Sequence, residues 1–441
     1  MSQLRLSFYG DDFTGSTDAL EQLTLAGIRT MLFIEPPTPA RLKNFPGLQA
    51  IGVAGKSRAL ASAVMEREIK PALRQLKRLG ARHVHYKVCS TFDSSPAMGS
   101  IGRVMEIAAV IFPALFIPLL VAAPDLGRYT VFGQHFARYG IGSMGAIHRL
   151  DRHPSVSQHP VTPMTEADLR QHLARQTPKR TALFDILSVS LPASVARVAF
   201  AKLLQEKPQV VLFDALTNDQ LTTIGKLLDT FATSRQPLFS VGSSGIEVAL
   251  AAAWGKRRPA KKMVPPASQI LVGSGSCSPV TSSQIAWALK HGFAEVALDA
   301  TALTRANSSA AEIQRAVAAA TELLRNHRSV LIHTTKRGAA AQITATLQGD
   351  TARILGTALG QVLRTALGHS AVRRIAIAGG DTSSYAARAL GIEALEMLAS
   401  LTPGAPLCRA HAPKSPADGC ECVFKGGQVG AENYFATLIN S

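Results

Sequence analysis

The stretch LRLSFYGDDFTG, residues 4–15, decides how the chain is read. Its first seven residues form an apolar, aromatic run of the kind that makes a buried strand. They lead directly into Asp11, Asp12, Phe13, Thr14 and Gly15. Two carboxylates and a hydroxyl therefore stand at the carboxyl end of a strand, where open α/β sheets bind ligands. One of the aspartates can equally cap the helix that follows, and both readings can hold for different aspartates. Outward from this point come a helix-period segment to Ala26, then IRTMLFI, LQAIGVA, a helical stretch to Leu79, and HVHYKVC. Short apolar runs alternating with helical segments predict an α/β fold of two domains with largely parallel sheets and a ligand cleft between them.

The rhythm continues through TALFDILSVS, QVVLFDAL and PLFSVGSSG, which places a first domain at 1–254. GKRRPAKKMVPPA is rich in proline and cations with no apolar period, and reads as a linker over 255–267. A second domain, 268–441, restarts the alternation at QILVGSGS and carries it through AEVAL, SVLIHTT and RRIAIAGG. Two stretches depart from the pattern. Residues 107–123 form the longest apolar run, but Pro113 and Pro118 interrupt it, so it reads as helix end, turn and buried strand rather than a membrane span. Residues 127–163 lapse into a polar, aromatic, glycine- and proline-bearing segment that reads as a long functional loop. After it, TEAD at 165–168 resembles a capping arrangement that restarts a helix.

With 441 residues, 46% hydrophobic and 17% charged, the chain is too long and too apolar for a disordered polymer or a disulfide-stapled miniprotein. Its five cysteines lack paired CxxC spacing, which points to neither a zinc site nor a disulfide framework and suits a reducing compartment. The N-terminus has neither the basic nor the long apolar region of a signal peptide, and a cytoplasmic location is expected. A net charge of +17 would attract nucleic acid, an anionic membrane or a phosphorylated small molecule alike. The one dense basic run, 256–262, lacks interleaved aromatics and reads as solvated linker.

Further candidate groups stand at strand ends. Lys87 closes HVHYKVC just before a cluster of hydroxyls, and can hold a carboxylate or phosphate or else snorkel at the surface. His83 and His85 share one strand face but have no third ligand nearby, which favours packing over metal binding. AIGVAGKS at 50–57 satisfies a loose phosphate-loop pattern, but its first five residues read as strand and too few backbone amides are left free. Arg58, just beyond, is a candidate anion clamp. In the second domain, Gly273, Ser274, Gly275 and Ser276 form a small-residue turn between strand and helix. Gly379, Gly380, Asp381 and Thr382 form another, in which Asp381 can cap the helix, orient magnesium or orient an attacking hydroxyl. A third glycine patch, FKGGQVG at 424–430, can close over an adenine or ribose.

Seven segments in order resemble the four-carbon acid sugar kinases. They are GDDFTGSTDALE (10–21), YKVCSTFDSSP (86–96), GSIGR (99–103), HPVTPMTEADL (159–169), SGSCSPVT (274–281), AGGDTSS (378–384) and KGGQVG (425–430). The resemblance spans nearly the whole chain and implies a sugar-acid domain followed by a nucleotide domain. It implies that Asp12, Arg58, Lys87, Val88, Cys89 and Ser90 contact a four-carbon sugar acid. It implies that Ser274, Gly379, Gly380, Asp381, Thr382 and Gly427 contact ATP. The expected reaction is transfer of the γ-phosphoryl group of ATP, with Mg2+, to the terminal hydroxyl of a tetronate-type acid. Arg58 and Lys87 would hold the acid's carboxylate and Asp12 would position or deprotonate the hydroxyl, with Asp381 an alternative base. No nucleic-acid or membrane partner is expected, and a homo-oligomer stays open. The competing classes are a non-catalytic sugar-acid or nucleotide sensor, an RNA-binding surface, and a kinase of a longer sugar acid.

Overall fold

The computed structural model describes residues 4–140, 145–159, 161–255, 264–276, 278–334 and 351–440. The basic run at 256–262, most of the expected linker, Cys277 and the side chain of Asp381 lie outside the described residues. The chain divides into two compact units, Met1–Pro259 and Ala260–Ser441.

The first unit is built on β1 (Leu6–Gly10), β2 (Thr30–Phe33), β3 (Ala50–Ala54), β4 (His83–Lys87), β5 (Ile117–Leu120), β9 (Thr181–Phe184), β10 (Val210–Phe213) and β11 (Leu238–Gly242). These lie in the order β2-β3-β1-β4-β11-β5-β10-β9, and every pairing among them is parallel. All residues of β1, β3, β4 and β11 are buried, which is why they read as continuous apolar runs rather than alternating ones. The helix Ser62–Arg78 covers the sheet with a stripe of Met65, Ile69, Ala72, Leu73 and Leu76, spaced by three and four residues. From β1 the chain turns to β2 on one side, and from β4 it turns to β5 on the other. The carboxyl ends of β1 and β4 therefore flank a topological switch point, the crevice where such sheets take ligands.

Residues 107–123 resolve into the end of the helix Ile101–Ile111 followed by β5, as the two prolines suggested. No described helix is long and apolar enough to cross a membrane. The segment at 127–163 departs from the expected loop. It contains a three-stranded antiparallel sheet of β6 (Arg128–Val131), β7 (Gln134–Arg138) and β8 (Ile147–Arg149). The two-residue connection between β6 and β7 places Phe132 at φ 50° and Gly133 at φ 82°, the doubly positive turn that matches strand twist. Asp214 accepts hydrogen bonds from both of these backbone amides. Strands β6 and β7 escape a search for apolar runs because only alternate residues are buried, and β8 because none is. The helix that follows is Leu169–Ala174, and its cap is Asp168 rather than Thr165, with the Asp168 carboxylate accepting from Arg170 N.

The second unit contains β12 (Leu271–Ser274), β13 (Ala294–Ala297), β14 (Val330–His333), β15 (Arg374–Ala378), β16 (Ala394–Thr402), β17 (Ala405–His411) and β18 (Glu421–Lys425). The order is β13-β14-β12-β15-β18-β17-β16, parallel as far as β18 and antiparallel beyond it. Strands β16 and β17 form a hairpin turned at Pro403 and Gly404, with Gly404 at φ 78°. The sequence reading did not pick them out. Here the switch point lies between β12, which leads to β13, and β15, which leads away from it.

Candidate functional site

In the first unit, β1 delivers Asp11 and Asp12 to the crevice and β4 delivers Lys87. Asp11 N donates to Lys87 O at 2.8 Å and Arg58 N donates to Asp11 O at 3.0 Å, so three separate segments are tied at one point. Asp12 is the N-cap of the helix Phe13–Leu25, its Oδ1 accepting from Gly15 N at 2.8 Å. Its Oδ2 accepts from the Thr14 hydroxyl at 2.8 Å and pairs with Arg58 Nη2 at 2.9 Å. Capping and ion pairing are thus carried by the two oxygens of one carboxylate. A side chain at Gly15 would put its Cβ 2.6 Å from Asp12 Oδ1 and 3.0 Å from Lys87 Nζ, so only glycine leaves these two groups room.

Lys87 is not a surface lysine. It is 1% exposed, with Nζ donating to Val88 O at 3.1 Å and lying 3.6 Å from Asp18 Oδ2. The Val88 side chain points into the apolar core, so at the crevice Val88 offers its backbone. Cys89 N donates to Asp11 Oδ2 at 3.3 Å, and its sulfur lies 3.0 Å from Thr91 Oγ1. The Ser90 carbonyl accepts from His135 Nε2 at 2.9 Å, which fixes this loop against the small antiparallel sheet.

Burial and neighbouring charge sort the titrating groups. Burial and the adjacent Asp12 push Asp11 up to about 7. Burial also opposes charge on Asp12, but Arg58 and Lys87, with the hydrogen bonds from Thr14 and Gly15, outweigh it and hold that carboxyl below its usual value. Burial likewise works against Lys87, and Asp18, Asp11, Asp12 and Glu247 reverse it, leaving the ammonium above its ordinary value. Burial raises Glu247 to about 8 and lowers His85 to about 3, and these two side chains face each other at 3.7 Å. Burial pushes the Cys89 thiol up to about 12. Sequence reasoning passed over Asp18 and Glu247; the available signal was a lone carboxylate in the apolar helical run IEVALAAA. His83 bonds Asp229 at 2.9 Å and packs near Trp254, a structural setting away from the crevice.

In the second unit three turns meet. Gly275 N donates to Ala378 O at 3.1 Å, and Gly379 N donates to Lys425 O at 3.0 Å. The Thr382 hydroxyl reaches back to Gly275 O at 3.4 Å, and the Thr281 hydroxyl donates to Gly427 O at 3.0 Å. Ser274 is buried at the end of β12, with Ser276 N lying 3.5 Å from its hydroxyl. Close approach is the reason for the glycines. A Cβ on Gly275 would lie 2.5 Å from Thr382 Oγ1, and one on Gly427 would lie 2.8 Å from Ser278 Cβ. Gly379 takes φ 123°, which side-chain-bearing residues rarely adopt. Gly380 opens the helix Gly380–Ala389. Ser274, Gly379, Gly380, Thr382 and Gly427 are therefore gathered at one switch point, a cradle of backbone amides that fits a polyphosphate.

Residues 6–250 match the family model described as a sugar-binding N-terminal domain, and residues 271–435 match the nucleotide-binding C-terminal domain. The chain is 44% identical to a 3-oxo-isoapionate kinase of Paraburkholderia graminis, over 99% of this chain and 94% of that one. It is 31% identical to a 3-oxo-tetronate kinase of Methylobacterium radiotolerans, over 99% of both. A crystal structure from Salmonella typhimurium LT2 superposes with a TM-score of 0.77 at 25% identity, covering 98% of each chain.

Proposed function

This chain belongs to the four-carbon acid sugar kinase family and is a phosphotransferase acting on a sugar-acid hydroxyl, and on that premise we propose that its substrates are magnesium-ATP and a 3-oxo sugar acid. The observation that carries the reading is the grouping of Arg58 and Lys87 around Asp12 at the β1/β4 crevice, inside the unit that matches the sugar-binding model. The 3-oxo acid is proposed because the relatives at 44% and at 31% identity are both named for one.

Phosphoryl transfer is catalysed mainly by positioning and charge neutralisation. Magnesium-ATP supplies the phosphoryl group together with the metal's charge, and we assign it to the cradle formed by Ser274, the 379–382 turn and Gly427. The start of the helix Gly380–Ala389 and the glycine turns beside it would let backbone approach the phosphates closely, with magnesium carried on them. Arg58 and Lys87 would hold the acid's carboxylate, the guanidinium through paired donors and the ammonium as a point charge. Asp12 would accept a hydrogen bond from the acceptor hydroxyl and aim its oxygen. A carboxylate held below its usual range is a weak base, so orientation is the larger part of its role. Asp11, raised to about 7, is better matched to taking the proton, and its Oδ1 has no hydrogen-bond partner among the described residues.

The test is ADP release from magnesium-ATP with 3-oxo-isoapionate, 3-oxo-tetronate, the corresponding acids without the oxo group, and longer sugar acids. Turnover on a 3-oxo acid is expected. Turnover confined to a longer acid, or to acids without the oxo group, would overturn the substrate proposed.

A further inference from the structure

Lys425 is the last residue of β18 and is fully buried, with 0% exposure. Its backbone carbonyl accepts from Gly379 N, and two residues beyond it lies Gly427, so the residue joins two of the three turns of the cradle. Its Nζ donates to Thr281 Oγ1 at 3.0 Å, and the Thr281 hydroxyl in turn donates to Gly427 O at 3.0 Å. The lysine therefore reaches the Gly427 turn through one hydroxyl. Its ammonium lies beside the first turn of the helix Pro279–Lys290, where the helix dipole favours anions and opposes cations.

The surroundings provide little that stabilises the charged form. The Tyr434 ring lies 5.7 Å from Nζ. Of the charged groups borne by strands of its sheet, Arg374 and Glu421 pair with each other at the far ends of β15 and β18, Arg409 of β17 stands opposite Glu421, and His333 at the end of β14 bonds Glu295. Arg388 lies in the last turn of the helix Gly380–Ala389, bonded to Ser384, and Asp381 is the second residue of the same helix, its side chain outside the described residues. Burial alone brings the lysine down to about 7, with no described charge contributing.

We propose that Lys425 is a positioning residue of the nucleotide site that takes up a proton as the phosphates bind and, once charged, fixes the Gly427 turn through Thr281. The inference rests on the nucleotide reading of this cradle. A polyphosphate at the three turns brings several negative charges near an ammonium site that has no counter-charge among the described residues, and an opposite charge within about 4–6 Å stabilises the protonated form by roughly one to three pH units. Before binding, the lysine is about half neutral at pH 7 and about nine-tenths neutral at pH 8. The proton comes from solvent, with no bond made or broken elsewhere.

The experiment is titration calorimetry of the whole protein with magnesium-ADP at pH 8, in Tris, tricine and HEPES, whose ionisation heats differ. The slope of apparent enthalpy against ionisation heat counts protons. Uptake of roughly 0.4–0.9 proton, according to whether the rise from about 7 is one unit or three, is expected for the native chain, and close to none for Lys425→Met, which should bind ADP roughly tenfold more weakly. Native binding without uptake, or the same uptake in Lys425→Met, would overturn the inference while leaving the nucleotide reading in place. Absence of ADP binding by the native chain would overturn the nucleotide reading itself. As a test that does not depend on the substitution folding, the dissociation constant of the native chain is also measured from pH 6 to 9. It should be flat below about pH 7 and weaken toward tenfold per pH unit above it, and a flat profile throughout refutes the proposal.

Discussion

Replacing Asp12 with asparagine removes one charge and leaves most of the local geometry intact. The Asn amide oxygen can still accept from Gly15 N, and Asn and Asp are about equal as helix caps, so the helix Phe13–Leu25 should start where it does now. What is lost is the bond accepted from the Thr14 hydroxyl and the 2.9 Å pair with Arg58, whose side chain is 19% exposed while that of Asp12 is 5% exposed. Breaking a fully buried pair costs roughly 3–5 kcal/mol. Arg58 keeps part of its hydration and the burial penalty on Asp12 is relieved, so a net loss of about 1–2 kcal/mol follows. For a unit of this size that corresponds to a fall in melting temperature of about 2–8 °C. Turnover should fall by roughly two orders of magnitude, since on the proposed reading the group that aims the acceptor hydroxyl is lost. Affinity for nucleotide, assigned above to the cradle of the second unit and not to Asp12, should stay within about twofold. The assays are ADP release at saturating substrate, calorimetry with magnesium-ADP, and a thermal melt. Asp12→Ala serves as the comparison, losing about 1 kcal/mol more through the cap. If Asp12→Asn melts as expected but turns over at more than about a tenth of the native rate, a loss of under about 1.4 kcal/mol, the role given to this carboxylate is wrong.

Gly427→Ala would place a Cβ 2.8 Å from Ser278 Cβ and 3.0 Å from Ser276 Oγ, prising open the third turn of the cradle. Steady-state kinetics should show KM for ATP raised by roughly tenfold or more, about 1.4 kcal/mol, with KM for the sugar acid unchanged; a rise in the second alone would contradict the assignment. Asp229 is held down at about 2 by its hydrogen bond to His83 and by Trp254 and Arg82, and since its folded-state value lies below the unfolded one, its contribution is present above about pH 4 and lost as pH falls toward 2. The carboxylate is partly exposed, so Asp229→Asn should cost about 1–2 kcal/mol at pH 7 after allowance for screening. Urea melts of both proteins at pH 7 and pH 3 check this, and a gap between them that fails to narrow at pH 3 would count against the pair.

The sequence was most legible where one local rule governed a segment. The apolar runs of β1, β3, β4, β12 and β15 are buried on both faces, so burial alone wrote them as strands. It was least legible in β6, β7 and β16, where partial burial leaves no continuous apolar run to stand out. The candidate residues Asp12, Lys87, Ser274 and Gly379 were visible because each ends a strand or begins the turn after one, a position that depends only on neighbours in the chain.

What the chain alone determined is therefore the alternation of elements and the chemistry placed at their ends. Strand order decided the rest. Placing β1 beside β4 and β12 beside β15 turned separate motifs into two crevices, because in each case the chain departs from the two strands in opposite directions. That order also set charge states that no local pattern contains. Lys87 is kept charged by Asp18 and by Glu247, which is 160 residues away in the chain, and Lys425 is brought down to about 7 by burial among turns contributed from three separate segments. A pKa responds to what surrounds a group in space, and only folding brings those surroundings together.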